Sequence, residues 1–159
     1  MGLEESIDVV VGRGRQDDAL AIAAMADELR TVLGDPRGYL TAEVIIRDGF
    51  GVNPEFELVV AEWNRRLIGY ALYLDVYEPA YAARGFYLAD LFVSDETRGR
   101  GIGRRLIDAV AAAAQERGRN FVWWVAQPSN ATALSFYRKL TPDIVQTVVT
   151  HVMILRGEA

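Results

Sequence analysis

The sequence predicts a single α/β domain, and three observations lead to this prediction. A run of strand-forming residues from Phe86 to Val93 passes through a glycine-rich turn into an amphipathic helix. The apolar run Phe121–Ala126, rich in β-branched and aromatic residues, is typical of a strand buried on both faces, and a second helical pattern follows it. The chain has 159 residues, of which 51% are hydrophobic, so one domain over 1–159 can bury a substantial core.

The predicted elements before the glycine-rich turn begin and end at recognisable signals. Apolar periodicity defines each element, and capping or turn residues mark its ends. The first is a strand over Ile7–Gly12, followed by a helix that Asp17 or Asp18 caps and that runs through Leu33 to a stop at Gly34. A second helix over Thr41–Asp48 comes next, and then the strands Glu57–Trp63 and Leu67–Val76 form a hairpin around Asn64-Arg65. A loop over Pro79–Gly85 leads to the strand Phe86–Val93.

The predicted elements after the turn continue the alternation of helix and strand. Glycine past a helix end and asparagine before a helix start are the boundary signals here. In order they are a helix over Gly101–Arg117 that Gly118 ends, the strand Phe121–Ala126, a helix over Asn130–Leu140 that Asn130 caps, and a last strand over Gln146–Leu155.

Composition and charge exclude several classes of function. The chain has no cysteine, so it has no disulfide, thiolate nucleophile or cysteine-ligated zinc, and with His151 as its one histidine we expect no metal site. No apolar run approaches the ~18 residues of a membrane helix, and residues 1–12 carry acids where a signal peptide has a basic leader, so we expect a cytoplasmic protein. The net charge of −5 disfavours nucleic acid and membrane as partners and suits a cationic amine.

The segment from Arg98 to Gly103 predicts a site for an anion. Unpaired N–H groups and the positive end of a helix dipole point over the turn. Glycines let a phosphate approach the backbone without meeting a Cβ. A Walker loop is excluded because Gly-Lys-Ser/Thr is absent, and a dinucleotide fingerprint is excluded because Leu106 stands where its last glycine belongs. The alternative is a glycine turn that only caps an ordinary βα unit.

Two motifs together resemble those of the GCN5-related N-acetyltransferases. The pattern Arg/Gln-x-x-Gly-x-Gly/Ala is filled by Arg98, Gly101 and Gly103, and the pattern Asn-x-x-Ala-x-x-Phe-Tyr is filled by four residues, Asn130, Ala133, Phe136 and Tyr137. The resemblance covers roughly residues 5 to 155. It implies a mixed central sheet with helices on both faces.

Further segments resemble the diamine (spermidine/spermine) and thialysine branch of that family. They are Leu40-Thr41, Asp48-Gly49-Phe50-Gly51 with Pro54, and Tyr87 to Val93. Two positions depart from the branch. Ala89 stands where the branch has a glutamate before Asp90, and the tyrosine and glutamate usual after Glu28-Leu29 are absent. The site that the resemblance implies is therefore less acidic than that of a polyamine enzyme.

The resemblance implies acetyl-CoA as cosubstrate, held mainly by backbone. The cofactor would wedge between the strands Phe86–Val93 and Phe121–Ala126, pairing like an extra strand, and the turn would hold the pyrophosphate. The implied cofactor-binding residues are Leu91, Phe92, Val93, Arg98, Gly99, Arg100, Gly101, Ile102, Gly103, Arg104, Asn130 and Phe136. One or more of the arginines is alternatively a solvated side chain.

Tyr137 and Asp90 are the catalytic candidates. An alkylamine resembles lysine, with a pKa of about 10.4, so well under 1% is neutral at pH 7 and something must take its proton, directly or through water. Asp90 is the candidate for this step, and Glu62 and His151 are further titratable groups. The thiol that leaves has a pKa of about 8.5, and tyrosine has a pKa of about 10, so full proton transfer from Tyr137 to the thiolate is uphill by ~2 kcal/mol. Tyr137 therefore helps most by donating a hydrogen bond. The alternative for Tyr137 is a core aromatic.

The sequence thus predicts a small-molecule amine N-acetyltransferase that acts by direct attack, with a diamine-like or lysine-like acceptor. The alternative acceptors are an aminoglycoside, an amino acid or a protein N-terminus. A non-catalytic acyl-CoA sensor is the alternative from another class. The resemblance also implies a homodimer.

Overall fold

The computed structural model describes residues 7–155. Two compact units divide the chain between Val125 and Ala126. The first unit contains β1 Val10–Arg13, α1 Ala19–Leu33, α2 Ala42–Gly49, β2 Glu57–Trp63, β3 Arg66–Glu78, β4 Ala83–Val93, α3 Ile102–Glu116 and β5 Val122–Trp123. The second contains α4 Ala131–Lys139.

The five strands form one mixed sheet in the order β1-β2-β3-β4-β5. All neighbours are antiparallel except β4 and β5, which are parallel. The hairpin between β2 and β3 turns at Asn64 and Arg65, whose φ angles of 51° and 60° match the primed turn that the strand twist favours. The predicted hairpin is confirmed.

Helices cover both faces of this sheet. Alternate strand positions point to opposite faces, so Leu58 and Val60 share one face and Val59 and Ala61 the other. Ile22 of α1 and Ile45 of α2 pack in one core cluster with the first pair. On the other face α3 lies against β3, where a Cβ added to Gly69 would be 3.3 Å from Leu106 Cδ1. The α/β fold with a mixed central sheet and helices on both faces is confirmed.

The helix boundaries confirm most of the predicted signals. Gly34 ends α1 with a φ of 75°, and the Thr41 hydroxyl caps α2 by accepting from the Val44 N–H at 3.2 Å. Asp18 precedes α1, but its carboxylate accepts the Arg15 N–H at 2.8 Å and closes a short 3-10 turn instead of capping the helix. The first strand begins at Val10 rather than Ile7.

The predictions after Phe121 need two corrections. The strand predicted over Phe121–Ala126 is reduced to Val122–Trp123, and it is not buried on both faces, since Trp123 is 50% exposed. No strand forms over Gln146–Leu155 within the described part of the chain. Both segments are rich in valine, but β propensity reflects packing on a pleated, half-buried surface and not the backbone alone.

Candidate active site

A cavity of about 280 Å³ opens on the α1 face of the sheet, within the first unit. Helix α1, the chain that follows it and the strands β3 and β4 form its walls. The lining residues are Ala26, Asp27, Arg30, Pro36, Gly38, Tyr39, Leu40, Phe56, Leu72, Ala89 and Asp90. The volume of about 280 Å³ lies just below the roughly 300–1,000 Å³ that is typical of small-molecule sites.

A β-bulge in β4 brings Ala89 and Asp90 to the same cavity. Leu72 of β3 lies opposite Asp90, and the next residue, Tyr73, lies opposite Leu88. Ala89 is therefore an extra residue on β4, whereas successive residues of a regular strand point to opposite faces. Because of the bulge, Ala89, at the position where the related branch has a glutamate, lines the cavity.

Asp90 is buried in a hydrogen-bonded ion pair. Arg30 donates from Nη1 to Oδ1 at 2.9 Å and from Nη2 to Oδ2 at 2.8 Å, and Tyr70 Oη donates to Oδ2 at 2.8 Å. The side chain of Asp90 is 5% exposed and that of Arg30 is 24% exposed. Asp90 thus already accepts bonds at both oxygens, and its carboxylate is held in one orientation.

The same ion pair shifts the titration of its neighbours. The hydrogen bond to Asp90 raises the pKa of Arg30 above its ordinary value, so the guanidinium stays charged. Burial, reinforced by the charge of Asp90, raises the pKa of Tyr70 far above that of a free tyrosine. The arrangement is one cation and one anion with a neutral phenol. Sequence reasoning identified Asp90 and missed Arg30 and Tyr70, because no local pattern links residues so far apart in the chain.

Asp27 lies one turn before Arg30 on α1. Its Oδ1 accepts the backbone N–H of Gly38 at 2.8 Å, and Gly38 has a φ of 80° that favours glycine. The bond ties the segment after α1 to the helix, so Asp27 and Gly38 together form part of the cavity wall.

The edge of β4 toward β5 is open beyond the first residues of the strand. Phe86 and Tyr87 pair with Val122 and Trp123, and within residues 7–155 no strand continues this pairing along Leu88–Val93. The predicted cofactor-pairing residues Leu91, Phe92 and Val93 lie on this stretch. The Val93 carbonyl already accepts the Arg98 Nε–H at 3.1 Å.

The glycine-rich turn forms a cradle at the start of α3. Gly99 and Gly101 have φ angles of 77° and 75°, and nothing lies within 4 Å of the place where either would carry a Cβ. The first helical bond runs from the Arg105 N–H to the Gly101 carbonyl, at 3.1 Å. The N–H groups of residues 102–104 precede it, and such groups have no carbonyl of their own helix to bond. They are the ones expected to meet an anion.

Two of the three predicted cofactor-binding arginines have acidic partners. Arg98 pairs with Asp95 at 2.8 Å, and Arg104 pairs with Asp108 one turn later at 3.2 Å. Arg100 is exposed on the turn. The backbone N–H groups at the start of α3 are therefore the better-defined candidate for holding an anion.

The second unit holds the other predicted motif. Asn130 Oδ1 accepts the Ala133 N–H at 3.1 Å, so Asn130 caps α4 as predicted. The rings of Phe136 and Tyr137 lie 5.3 Å apart between their centroids. Burial raises the pKa of Tyr137, so its hydroxyl keeps its proton above the ordinary range of tyrosine.

Two other groups considered from the sequence differ in exposure. Glu62 is half-buried on β2, and His151 is exposed. Across residues 7–155, no three His, Cys, Asp or Glu side chains lie close enough together to hold a metal ion. None of the helices in that range has the length and apolar character needed to cross a bilayer.

The open edge of β4 and the glycine turn that starts α3 lie within the part of the chain that matches a known family. Residues 22–141 match the model of the Acetyltransferase (GNAT) family. The chain belongs to this family and is an N-acetyltransferase.

Curated relatives agree with the branch that the motifs resemble. A protein of Sus scrofa named thialysine N-epsilon-acetyltransferase is 32% identical over 129 residues, which cover 76% of this chain and 75% of the relative. The spermidine/spermine N(1)-acetyltransferase-like protein 1 of Homo sapiens is 29% identical over 105 residues, which cover 62% of this chain and 15% of that protein. Both names come from the diamine and thialysine branch.

A solved structure agrees with the fold. An aminoglycoside N-acetyltransferase in complex with CoA superposes with a TM-score of 0.78 at 15% identity, covering 95% of this chain and 98% of that one. At this identity the likeness concerns the fold alone.

Proposed function

We propose that this enzyme transfers the acetyl group of acetyl-CoA to a primary amine of a small molecule, diamine-like or lysine-like. One observation carries the proposal: β4 links an acid-lined cavity at Ala89 and Asp90 to an open strand edge and then to the glycine cradle. An amine site and an anion site thus lie along one strand and the turn that follows it.

Acetyl-CoA fits the residues of the first unit. The cradle at Gly99 and Gly101 is open where a Cβ would stand, which suits a pyrophosphate close to backbone. In the described part of the chain, the edge of β4 along Leu91–Val93 has no strand beside it, and although Arg98 already bonds the Val93 carbonyl, this edge suits an extended pantetheine amide chain. When bound, the cofactor supplies an activated thioester. In the second unit, Asn130 and Phe136 complete the proposed cofactor-binding set.

The enzyme must supply a neutral amine and manage its proton. We assign Asp90 to the amine side, where its carboxylate attracts the ammonium form, and the ammonium group then gives its proton to water and becomes the neutral amine that attacks. Because Arg30 and Tyr70 hold both of its oxygens, Asp90 acts through fixed charge and orientation more than as a free base. We assign Tyr137 to the leaving side, where its phenol donates a hydrogen bond as charge develops on sulfur.

The charge of the cavity selects among amines. Two carboxylates, Asp27 and Asp90, and one guanidinium, Arg30, line it, which leaves one uncompensated negative charge. This favours an acceptor of low net charge over a long polyamine. Ala89 at the bulge acts in the same direction, since it lacks the carboxylate of the related branch.

A panel of acceptors tests the proposal. Spermidine, a short diamine, thialysine and a monoamine are compared at equal concentration by detecting the thiol that acetyl-CoA releases. We expect release with the short diamine or thialysine, and weaker activity on spermidine. If spermidine is best by a wide margin, the argument from Ala89 is wrong.

The other outcomes of the panel separate the remaining functions. Turnover with an aminoglycoside, another amino acid or a peptide N-terminus, and with none of the four amines, would overturn the acceptor class and keep the acetyl-CoA assignment. Binding of acetyl-CoA without thiol release from any amine would indicate a sensor. Our proposal also includes a cytoplasmic homodimer, and light scattering on the purified protein tests its assembly.

A further inference from the structure

We propose that Arg30 binds a carboxylate of the acceptor, so that the preferred substrate is an amino acid with a side-chain amine and not the corresponding bare diamine. The inference rests on the proposed function and adds the substrate class and a specificity-determining residue. The ion pair with Asp90 leaves some of the N–H donors of Arg30 unused.

Arg30 uses only part of its hydrogen-bonding capacity on Asp90. A guanidinium carries five N–H donors, and Asp90 accepts two of them. Within the described residues, these are the two hydrogen bonds that the side chain of Arg30 donates. Arg30 lines the cavity with its side chain 24% exposed, so donors remain on the ligand side.

The ion pair also prepares Arg30 for binding. Asp90 holds the guanidinium in a two-point bond, so little side-chain freedom is left to lose when a ligand arrives. The raised pKa keeps the group charged. A planar, charged fork of this kind is the arrangement that proteins use to bind carboxylates.

Asp27 supplies the complementary charge for an amino acid. It precedes Arg30 by three residues, so the two side chains are neighbours on one helix face, and both line the cavity. Its Oδ1 is engaged with the Gly38 N–H, and a carboxylate has further acceptor sites. A cation and an anion side by side match the α-carboxylate and α-ammonium of an amino acid.

The cavity volume of about 280 Å³ suits one amino acid better than a long polyamine. The overall charge agrees, since thialysine carries two ammonium groups and one carboxylate. A bare diamine would place two cations beside Arg30, and it has no group that could accept hydrogen bonds from the remaining N–H donors of Arg30.

A matched pair of acceptors tests the inference on the unmodified enzyme. Thialysine and bis(aminoethyl) sulfide share the reacting amine and chain length and differ only in the carboxylate. We expect kcat/KM to be about tenfold or more higher for thialysine, the size of one charge-assisted bond. Calorimetric titration of the CoA-bound enzyme with each compound gives a readout that does not need turnover.

Two variants identify the residue responsible. Arg30→Lys keeps a charge beside Asp90 but loses the fork, so the thialysine-to-sulfide ratio should fall toward one. The double variant Arg30→Gln with Asp90→Asn removes both charges together and serves if the single variant does not fold. Arg47→Lys is the control, because Arg47 also holds an aspartate, Asp48, by two points but does not line the cavity, so its ratio should stay at the unmodified value.

Each of the other possible results would contradict a specific part of the inference or of the proposed function. Equal kcat/KM and affinity for the two compounds would disprove carboxylate binding, while acetylation of both would leave the proposed function intact. A thialysine preference that survives both Arg30 variants would place the carboxylate at another residue. Absence of thiol release and of binding with either compound would end both the inference and the acceptor class.

Discussion

Neighbouring side chains decide what Asp90 does. An aspartate on a strand is a candidate base from its chemistry alone, but here Arg30 and Tyr70 hold both of its oxygens at 2.8 to 2.9 Å. The carboxylate therefore contributes a fixed negative charge at the cavity wall.

Replacing Asp90 by asparagine tests that contribution. Asp90→Asn leaves Arg30 without its anion, so we expect the free energy of unfolding to fall by about 3 kcal/mol, as for a broken buried ion pair. We also expect a lower kcat/KM for cationic amines with an altered pH profile, and a nearly unchanged Kd for acetyl-CoA. Urea denaturation, kinetics and calorimetry measure the three effects. The control Asp48→Asn breaks a two-point pair with the exposed Arg47, so it should lower the free energy of unfolding far less and leave the kinetics and the Kd unchanged.

Two experiments test the role of Tyr137: the substitution Tyr137→Phe and the pH dependence of the activity of the unmodified enzyme. We expect Tyr137→Phe to lower kcat tenfold or more, at the lower end of general-acid effects of about 10²–10⁴, with little change in cofactor Kd. Because burial raises the pKa of Tyr137, the phenol stays protonated beyond about pH 10. The activity of the unmodified enzyme should therefore not decline between about pH 8 and 10 through loss of this proton. A decline there that disappears in Tyr137→Phe, or full turnover by the variant, would contradict the assignment.

At the scale of elements, helix α3 carries two comparable glycines at its ends. Gly101 precedes the helix with a φ of 75° and Gly118 follows it with a φ of 65°, and a Cβ added to either would meet no atom within 4 Å. The backbone needs glycine equally at both ends. Only the end at Gly101 is the proposed anion cradle. Comparing substitutions at Gly101 and Gly118 therefore distinguishes the effect of backbone strain from the effect on ligand binding.

Gly101→Val and Gly118→Val form the corresponding experiment. Each should lower the free energy of unfolding by about 1–3 kcal/mol through strain at positive φ. Only Gly101→Val should also weaken acetyl-CoA binding, because a side chain would stand where pyrophosphate meets backbone. Calorimetry on the folded variants measures the affinities. Unchanged affinity in Gly101→Val would move the cofactor elsewhere.

Strand β4 shows how one element serves two sites. Its bulge at Ala89 directs two successive residues into the cavity, and its free edge from Leu88 onward leaves backbone groups for a ligand. Bulges are often found next to active sites, and an unpaired strand edge presents free N–H and C=O groups. Together on one strand they support the proposed binding of acceptor and cofactor along β4.

At the scale of the first unit, ion pairs join the end of α3 to the sheet. Arg119 donates to the carboxylate of Asp75 on β3 at 2.6 and 3.1 Å, and Arg117 Nη2 donates to Glu57 on β2 at 2.6 Å. Both guanidinium groups also lie over the Phe86 ring, at 5.9 and 5.5 Å from its centroid. These contacts connect three elements around one buried aromatic.

The ion pairs predict how stability depends on acidity. Arg119 lowers the pKa of Asp75, and Arg47 lowers that of Asp48. A depressed carboxyl pKa gives stability that is present above the unfolded value, about 3.9, and is lost as pH falls through the folded value. We expect a flat free energy of unfolding above about pH 5 and a decline below about pH 4.

Urea denaturation across that range measures the decline. Asp75→Asn should make it shallower by no more than about 1 kcal/mol, since the pair is half-exposed and screened by solvent. A stability that increases on acidification would contradict the prediction.

The sequence by itself determined what depends on neighbouring residues in the chain. Gly34, Thr41 and Asn130 begin or end their helices as predicted, because capping and positive φ are local properties. The glycine cradle and the family were predicted for the same reason, since both depend on short motifs of fixed spacing.

Only the tertiary structure decided how distant residues combine. Arg30, Tyr70 and Asp90 meet because α1 packs on β3 and β4, and the bulge at Ala89 exists only in the register of those strands. Strand pairing is non-local too, which is why valine-rich sequence overestimated β5 and the segment Gln146–Leu155. A strand needs a neighbour to receive its hydrogen bonds, and no pattern along the chain states whether that neighbour is there.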